Sequence, residues 1–297
     1  MESLEAYLRQ QRQLVEESLD KLLPRSDSYP PELMDAMRYS VFAGGKRLRP
    51  ILMMAAAESV GGDHAITLPA ACALEYIHTY SMIHDDLPAM DDDDYRRGKP
   101  TSHKAFGEAI AILAGDALLT YAFEVLSMPP LVDQVVPELL LQVQRRLAQA
   151  AGSFGMIGGQ VVDILSEGQE VDLPVLEYIH RHKTGALIEA AVTIGGLLGG
   201  GSPEQVLALE QYGQNVGWAF QVTDDILDVV GDASVLGKDV GRDEQQDKVT
   251  YPALLGVDAS RQRAVELMRR GVEALDDFGP PANCLRQIAE YVVVRQM

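Results

Sequence analysis

Cysteine is nearly absent: Cys72 and Cys284 are the only two in 297 residues, too few for a disulfide framework and too scattered for a zinc site. Both are expected to be reduced and structural, which fits a cytoplasmic protein. Positive charge is also scarce. Twenty-five lysines and arginines face 44 acids, a formal charge of −19, and this imbalance argues against nucleic acid as a partner and against an anionic membrane surface. No apolar run reaches the ~20 residues of a spanning helix. The most apolar stretch, GALIEAAVTIGGLLGGG at 185–201, is interrupted by Glu189 and rich in glycine, so it reads as a buried core helix and no membrane insertion is expected. The opening residues 1–23 carry the pattern of a charged amphipathic helix, not of a secretory leader. There is no HExxH, no paired-histidine zinc spacing, no GxSxG elbow and no glycine-rich nucleotide loop, which disfavours kinase and hydrolase chemistry of those types.

Strand-like alternation is missing as well. Apolar residues recur instead at helical spacing almost throughout, so the expected fold is all-α, a single domain over 1–297 built as a bundle of about ten or more helices. The helices are expected at 3–22, 31–43, 48–60, 65–87, 104–127, 131–151, 155–167, 173–199, 203–230, 258–277 and 281–294. Pro30-Pro31, Gly61-Gly62, Pro129-Pro130, Gly199-Gly200-Gly201 and Pro280-Pro281 punctuate them. None of these breaks has the length or composition of a domain linker.

What the chain does have is aspartate in two dense clusters, DDLPAMDDDD from Asp85 and DDILD from Asp224, each after an apolar helical run. Carboxylates this close repel one another unless a cation lies between them. Mg²⁺ suits the task, being a hard ion that takes one or two carboxylates together with substrate phosphates. In the second cluster Asp224 and Asp228 are four apart on one helix face, with Gln221 three residues earlier on that side. Asp85 and Asp91 are six apart and would diverge on a straight helix, but Pro88 should end the helix near Leu87 and let the chain fold back. Two such clusters suggest a diphosphate held by several metal ions.

Basic residues stand where phosphates would need them. AGGKRLRP at 43–50 sets Lys46, Arg47 and Arg49 behind two glycines, where a helix is expected to begin at about Pro50. Arg96, Arg97 and Lys99 follow the first acidic cluster in DYRRGKPT, and arginine forks bind phosphate oxygens two at a time. Lys183 and Thr184 interrupt an apolar stretch, where a lysine needs an anion or carboxylate beside it. Lys238 and Lys248 lie in the charged loop 231–248, whose composition suits a lid and a mobile surface loop equally. His78 and His84 flank the approach to Asp85, whereas His64, His103, His180 and His182 read as structural or exposed.

With these residues in view, the sequence resembles the polyprenyl diphosphate synthases, and within them the bacterial farnesyl diphosphate synthases. The resemblance runs through GGKRLRP at 44–50, IHTYSMIHDDLPAMDDDDYRRGKPT at 77–101, GGQVVDILSEG at 158–168, HKTGALI at 182–188, FQVTDDILDVVGD at 220–232 and DKVTYPALLG at 247–256. It implies an all-α domain whose helices surround a deep central cavity, assembled as a homodimer. It assigns Asp85 and Asp91, with Asp86 beside them, to Mg²⁺ on the allylic diphosphate, and Asp224 to a further Mg²⁺, with Asp225 and Asp228 completing the second motif. Three Mg²⁺ per active site are implied, with Mn²⁺ able to substitute. Lys46, Arg49, His78 and Arg97 would bind isopentenyl diphosphate. Arg96, Lys183, Thr184, Gln221, Lys238 and Lys248 would hold the allylic diphosphate, with Gln160 and Asp163 as supports.

The implied reaction is head-to-tail condensation of isopentenyl diphosphate with dimethylallyl and geranyl diphosphate. Tyr80, ~7.5 Å along a helix from Asp85, would form part of the cavity floor. An aromatic there, with Pro88-Ala89 inserted before Asp91, goes with a C15 product in the family. The small Ser81 beside it keeps a C20, geranylgeranyl product as the alternative. A class I terpene cyclase and a noncatalytic regulatory subunit are more remote readings. The first would lack the second pocket of Lys46, Arg49 and Arg97, and the second would show a damaged aspartate motif.

Overall fold

Proline and glycine place most helix ends where the punctuation predicts. In the computed structural model, which describes residues 3–230 and 249–294, α1 spans Leu4–Leu22, α2 Pro31–Val41, α3 Leu48–Ser59 and α4 His64–Asp85. The expected helix 104–127 is two: α5 (Ser102–Phe106) and α6 (Glu108–Val125). Gly107 separates them at φ +85°, a backbone state that a helix cannot contain. The expected helix 131–151 is likewise split, into α7 (Leu131–Gln134) and α8 (Pro137–Ala151), because Pro137 offers no N–H and serves as a helix start. Then come α9 (Met156–Ser166), α10 (Leu173–Ile179), a π-helical turn His180–Gly185, α11 (Ala186–Leu198) and α12 (Pro203–Val230). The chain closes with α13 (Tyr251–Leu255), α14 (Val257–Glu273), a 3₁₀ turn at Pro280–Ala282 and α15 (Asn283–Val294).

The α3 helix begins at Leu48 as the expected range 48–60 has it, with Pro50 tolerated in a first turn whose N–H groups lack partners anyway. Two further departures concern the site. A two-stranded ribbon, β1 (Tyr95–Arg96) and β2 (Lys99–Pro100), stands in an all-α fold. Arg97 and Gly98 at φ +53° and +76° turn it, with Arg96 opposite Lys99. The π turn divides the expected helix 173–199.

Contacts group the chain into two compact units, residues up to 51 with 65–140, and 52–64 with those from 141 onward. In the first, α1 buries Tyr7, Gln11, Val15 and Leu19 at intervals of four. Tyr76 donates its hydroxyl to Leu19 O (3.2 Å) and Tyr121 to Leu22 O, so α4 and α6 satisfy carbonyls that the end of α1 leaves open. In the second unit α12 is the axis, with α11, α14 and α15 packed along it. The apolar run at 185–201 lies almost wholly in α11, where Leu187 through Gly196 is buried apart from Glu189, as expected of a core helix. No helix among the described residues is long and apolar enough to cross a membrane.

Candidate active site

The first acidic cluster is shaped by backbone hydrogen bonds. After α4 ends at Asp85 the chain turns at Pro88, and Asp91 N returns to Asp85 O at 2.8 Å. Asp92 N bonds to Leu87 O and Asp93 N to Asp86 O, each at 3.2 Å. The reversal expected from Pro88 therefore brings Asp85 and Asp91 together, both half-buried. Asp86 is different. It is buried and receives Arg96 Nε at 2.7 Å and Nη2 at 2.5 Å. Burial raises the Asp86 pKa and Arg96 opposes the rise. Just beyond, Asp92, Asp94 and His103 carry ligand atoms within 4.8 Å of one another, although Lys104 is already paired with Asp94 at 2.7 Å.

The basic residues separate into two kinds. Arg47 is buried, with Nε on Glu16 (2.8 Å), Nη1 on Glu75 (2.8 Å) and Nη2 on Val41 O (2.6 Å), so it holds the core. Lys46 is exposed on the same loop and Arg49 is half-buried. Arg49 Nη1 lies 3.4 Å from His78 Nε2. A guanidinium only donates, so His78 accepts through Nε2 and is neutral, consistent with burial and Arg49 lowering its pKa well below the usual range. Arg97 donates to Gly44 O and lies flat over Gly45, where a Cβ would stand 2.9 Å from its Nη1. His78, Asp86, Arg96 and Arg97 share one cavity with Tyr39, Ser40, Thr79, Met82 and Thr101.

The second cluster is organised by the π turn, a feature that tends to occur at functional sites. Within it Lys183 places Nζ 2.6 Å from Asp163 Oδ2, the carboxylate that a lysine in an apolar stretch requires. Gly159 lets α9 lie flush against the turn, since a Cβ there would meet Lys183 N at 2.2 Å. Thr184 Oγ1 donates to Gln221 Oε1 (2.8 Å), and Gln221 Nε2 donates to Asp225 Oδ1 (3.2 Å). Asp225, only 3% exposed, also receives Tyr251 N at 3.0 Å and has His180 Nε2 at 3.4 Å. Asp224 and Asp228 are half-buried on the same helix. Burial and then Lys183 lower the His180 pKa to about 3, which keeps the ring neutral. Lys238, Lys248 and the candidate lid loop at 231–248 lie outside the described residues.

Helices, paired aspartates and phosphate-suited cations together invite comparison with known proteins. A profile of the polyprenyl synthetase family matches residues 30–278. The chain belongs to that family. It is 46% identical to a farnesyl diphosphate synthase of Geobacillus stearothermophilus over 293 residues, covering 99% of this chain and 98% of the relative. It is equally 46% identical to a geranylgeranyl diphosphate synthase of Cyanophora paradoxa, covering 99% and 97%. A crystal structure of an FPP/GFPP synthase from Zymomonas mobilis superimposes with a TM-score of 0.87 at 38% identity, covering 98% of this chain and 99% of that one. The protein is thus a short-chain prenyltransferase of isoprenoid biosynthesis.

Around the second motif of this polyprenyl synthetase, His180 fits its reading as a structural histidine, being buried beside Asp225, but the contacts of His180 and Tyr251 with Asp225 are not read from the sequence. A signal did exist: His180 and Thr184 are four apart, as are Gln221 and Asp225, the matched spacing that two adjoining helical turns need to bond at both ends.

Proposed function

We propose that this prenyltransferase is a farnesyl diphosphate synthase, joining isopentenyl diphosphate to dimethylallyl and then geranyl diphosphate and stopping at C15. The observation that carries this reading is the fixed position of Tyr80. Its ring is 5% exposed and packs edge-on against His84, with centroids 5.7 Å apart. His84 is itself pinned, because Nε2 donates to Ile112 O (3.1 Å) and the ring occupies the space a side chain at Gly115 would need. Burial and Asp85 push the Tyr80 hydroxyl up to about 12, and among the described residues it has no hydrogen-bond partner. A fixed aromatic wall about one and a half helical turns before Asp85 suits a stop on chain growth.

Asp85 and Asp91 suit Mg²⁺, being hard carboxylate donors on half-buried residues whose backbones the chain reversal brings together. Asp224 is the counterpart on α12. Bound there, Mg²⁺ supplies charge stabilisation to the departing diphosphate. The protein's own part is to hold the diphosphates through Lys46, Arg49, Arg97, Lys183 and Thr184, to orient Arg96 on Asp86, and to keep water from the allylic cation. The proton lost at the end of condensation goes to the released diphosphate, so no side-chain base is assigned. The family resemblance also supports a cytoplasmic homodimer, which light scattering would read as twice 32.4 kDa.

Incubation with Mg²⁺, isopentenyl diphosphate and each of the C5, C10 and C15 allylic diphosphates, read by mass spectrometry, tests the assignment. C15 accumulating from C5 and C10, with C15 itself inert, is the expected result. The C20 reading draws on Ser81, whose hydroxyl bonds back to His78 O (2.9 Å) and adds no bulk beyond the helix. Elongation of the C15 substrate would establish it. Tyr80→Ala is expected to move the main product to C20 or longer while the initial rate stays within about threefold, because the wall goes but the ionisation machinery remains. An unchanged product would show that Tyr80 is ordinary packing.

A further inference from the structure

The second aspartate motif is braced by a closed set of contacts that includes residues with no assigned role. Around it run Thr184, Gln221, Asp225 and His180, with links of 2.8, 3.2 and 3.4 Å. The backbone of the π turn closes the set from His180 back to Thr184. Lys183 sits in that turn, and Asp224 and Asp228 flank Asp225 on α12. With Tyr251 N and Gln221 Nε2 donating to its oxygens and His180 Nε2 3.4 Å from Oδ2, Asp225 ties α12 to the turn.

We propose that His180 is a positioning residue for the second metal site. Through Asp225 it sets the register between the π turn carrying Lys183 and the face of α12 carrying Asp224 and Asp228. This rests on the reading of that motif as a metal–diphosphate site. The physical ground is that a buried carboxylate takes its orientation from its donors, and partners lying behind metal ligands typically govern ~10–100-fold in metal affinity or activity. Tyr251 extends the brace. Its ring lies 5.3 Å from that of His180, and its hydroxyl accepts from Trp218 Nε1 at 2.9 Å. The guanidinium groups of Arg181 (3.9 Å) and Arg263 (4.4 Å) lie over the Trp218 ring in turn. As the only tryptophan in the chain, it reports on this brace optically.

The test compares the full-length wild type with His180→Phe, which keeps a ring but removes the ring nitrogens, and with His180→Gln, which keeps a donor. Each is titrated with Mg²⁺ in the presence of inorganic diphosphate, following Trp218 fluorescence and binding heat. The expected result is about tenfold weaker Mg²⁺–diphosphate binding in His180→Phe, with His180→Gln within about threefold of wild type. In turnover, His180→Phe should raise KM for the allylic diphosphate and leave KM for isopentenyl diphosphate within twofold. A merely structural role would move both KM values together. Binding by His180→Phe equal to wild type, or a loss in His180→Gln as large as in His180→Phe, overturns the proposal. Were the wild type to show this His180-dependent binding but form no elongated product, the positioning role would stand and the synthase reading would fall.

Discussion

Asp85→Asn is expected to lower kcat by about three orders of magnitude, about 4 kcal/mol of transition-state stabilisation, while leaving the helical fold intact. The asymmetry follows from how the loop is built. Asp91 N on Asp85 O, Asp92 N on Leu87 O and Asp93 N on Asp86 O are backbone bonds, so an isosteric amide does not undo the reversal. What it removes is formal charge at a half-exposed position, where the folded state depends on it little and a divalent cation depends on it strongly. Asp91→Asn should behave alike. Asp86→Asn should not: that side chain is buried and bonded to Arg96, so losing its charge leaves a guanidinium poorly matched and costs thermal stability as well as activity. Steady-state product formation and circular dichroism on the three variants separate the cases. Wild-type turnover in Asp85→Asn would sink the metal-clamp reading of the first cluster.

These outcomes show where the sequence was readable and where it was not. The reversal that pairs Asp85 with Asp91 was legible because Pro88 acts locally, through its fixed φ and its clash with the preceding residue. Helix ends at Leu22, Ser59 and Ala151 were legible for the same kind of reason. The π turn was not, since His180–Gly185 reads as continuous helix by periodicity and its extra residue shows only in three dimensions. The carboxylate that Lys183 needed could be expected in kind, but Asp163 was singled out only by the family resemblance at GGQVVDILSEG, because the two are 20 residues apart. Asp85 and Asp86 are indistinguishable as letters, yet one is half-buried and the other is buried against Arg96. Such differences come from which face of α4 is covered, a tertiary fact.

The basic run at Lys46, Arg47 and Arg49 makes the same point with a larger consequence for stability. Arg47→Met is expected to destabilise the protein by about 3–5 kcal/mol, because it strands Glu75 in the core without its cation. The Arg47 side chain is fully buried and Glu75 is 3% exposed. Burial alone would lower the arginine pKa, and the Coulombic and hydrogen-bonding pull of Glu75 and Glu16 overturns it into a rise. The site also holds Arg47 at φ +53°, a conformation uncommon outside glycine, so the surrounding bonds outweigh a local backbone cost. At roughly 2–4 °C per kcal/mol for a chain of this class, the midpoint of thermal unfolding should fall by about 10 °C. Lys46→Ala, one residue away and exposed, should leave it within about 1 °C, its effect falling instead on KM for isopentenyl diphosphate. Adding Glu75→Leu to Arg47→Met should recover part of the loss, since the stranded charge is then gone. The opposite pattern, an unchanged melting point in Arg47→Met with a raised KM, would return Arg47 to the phosphate-binding group from which its three partners now exclude it.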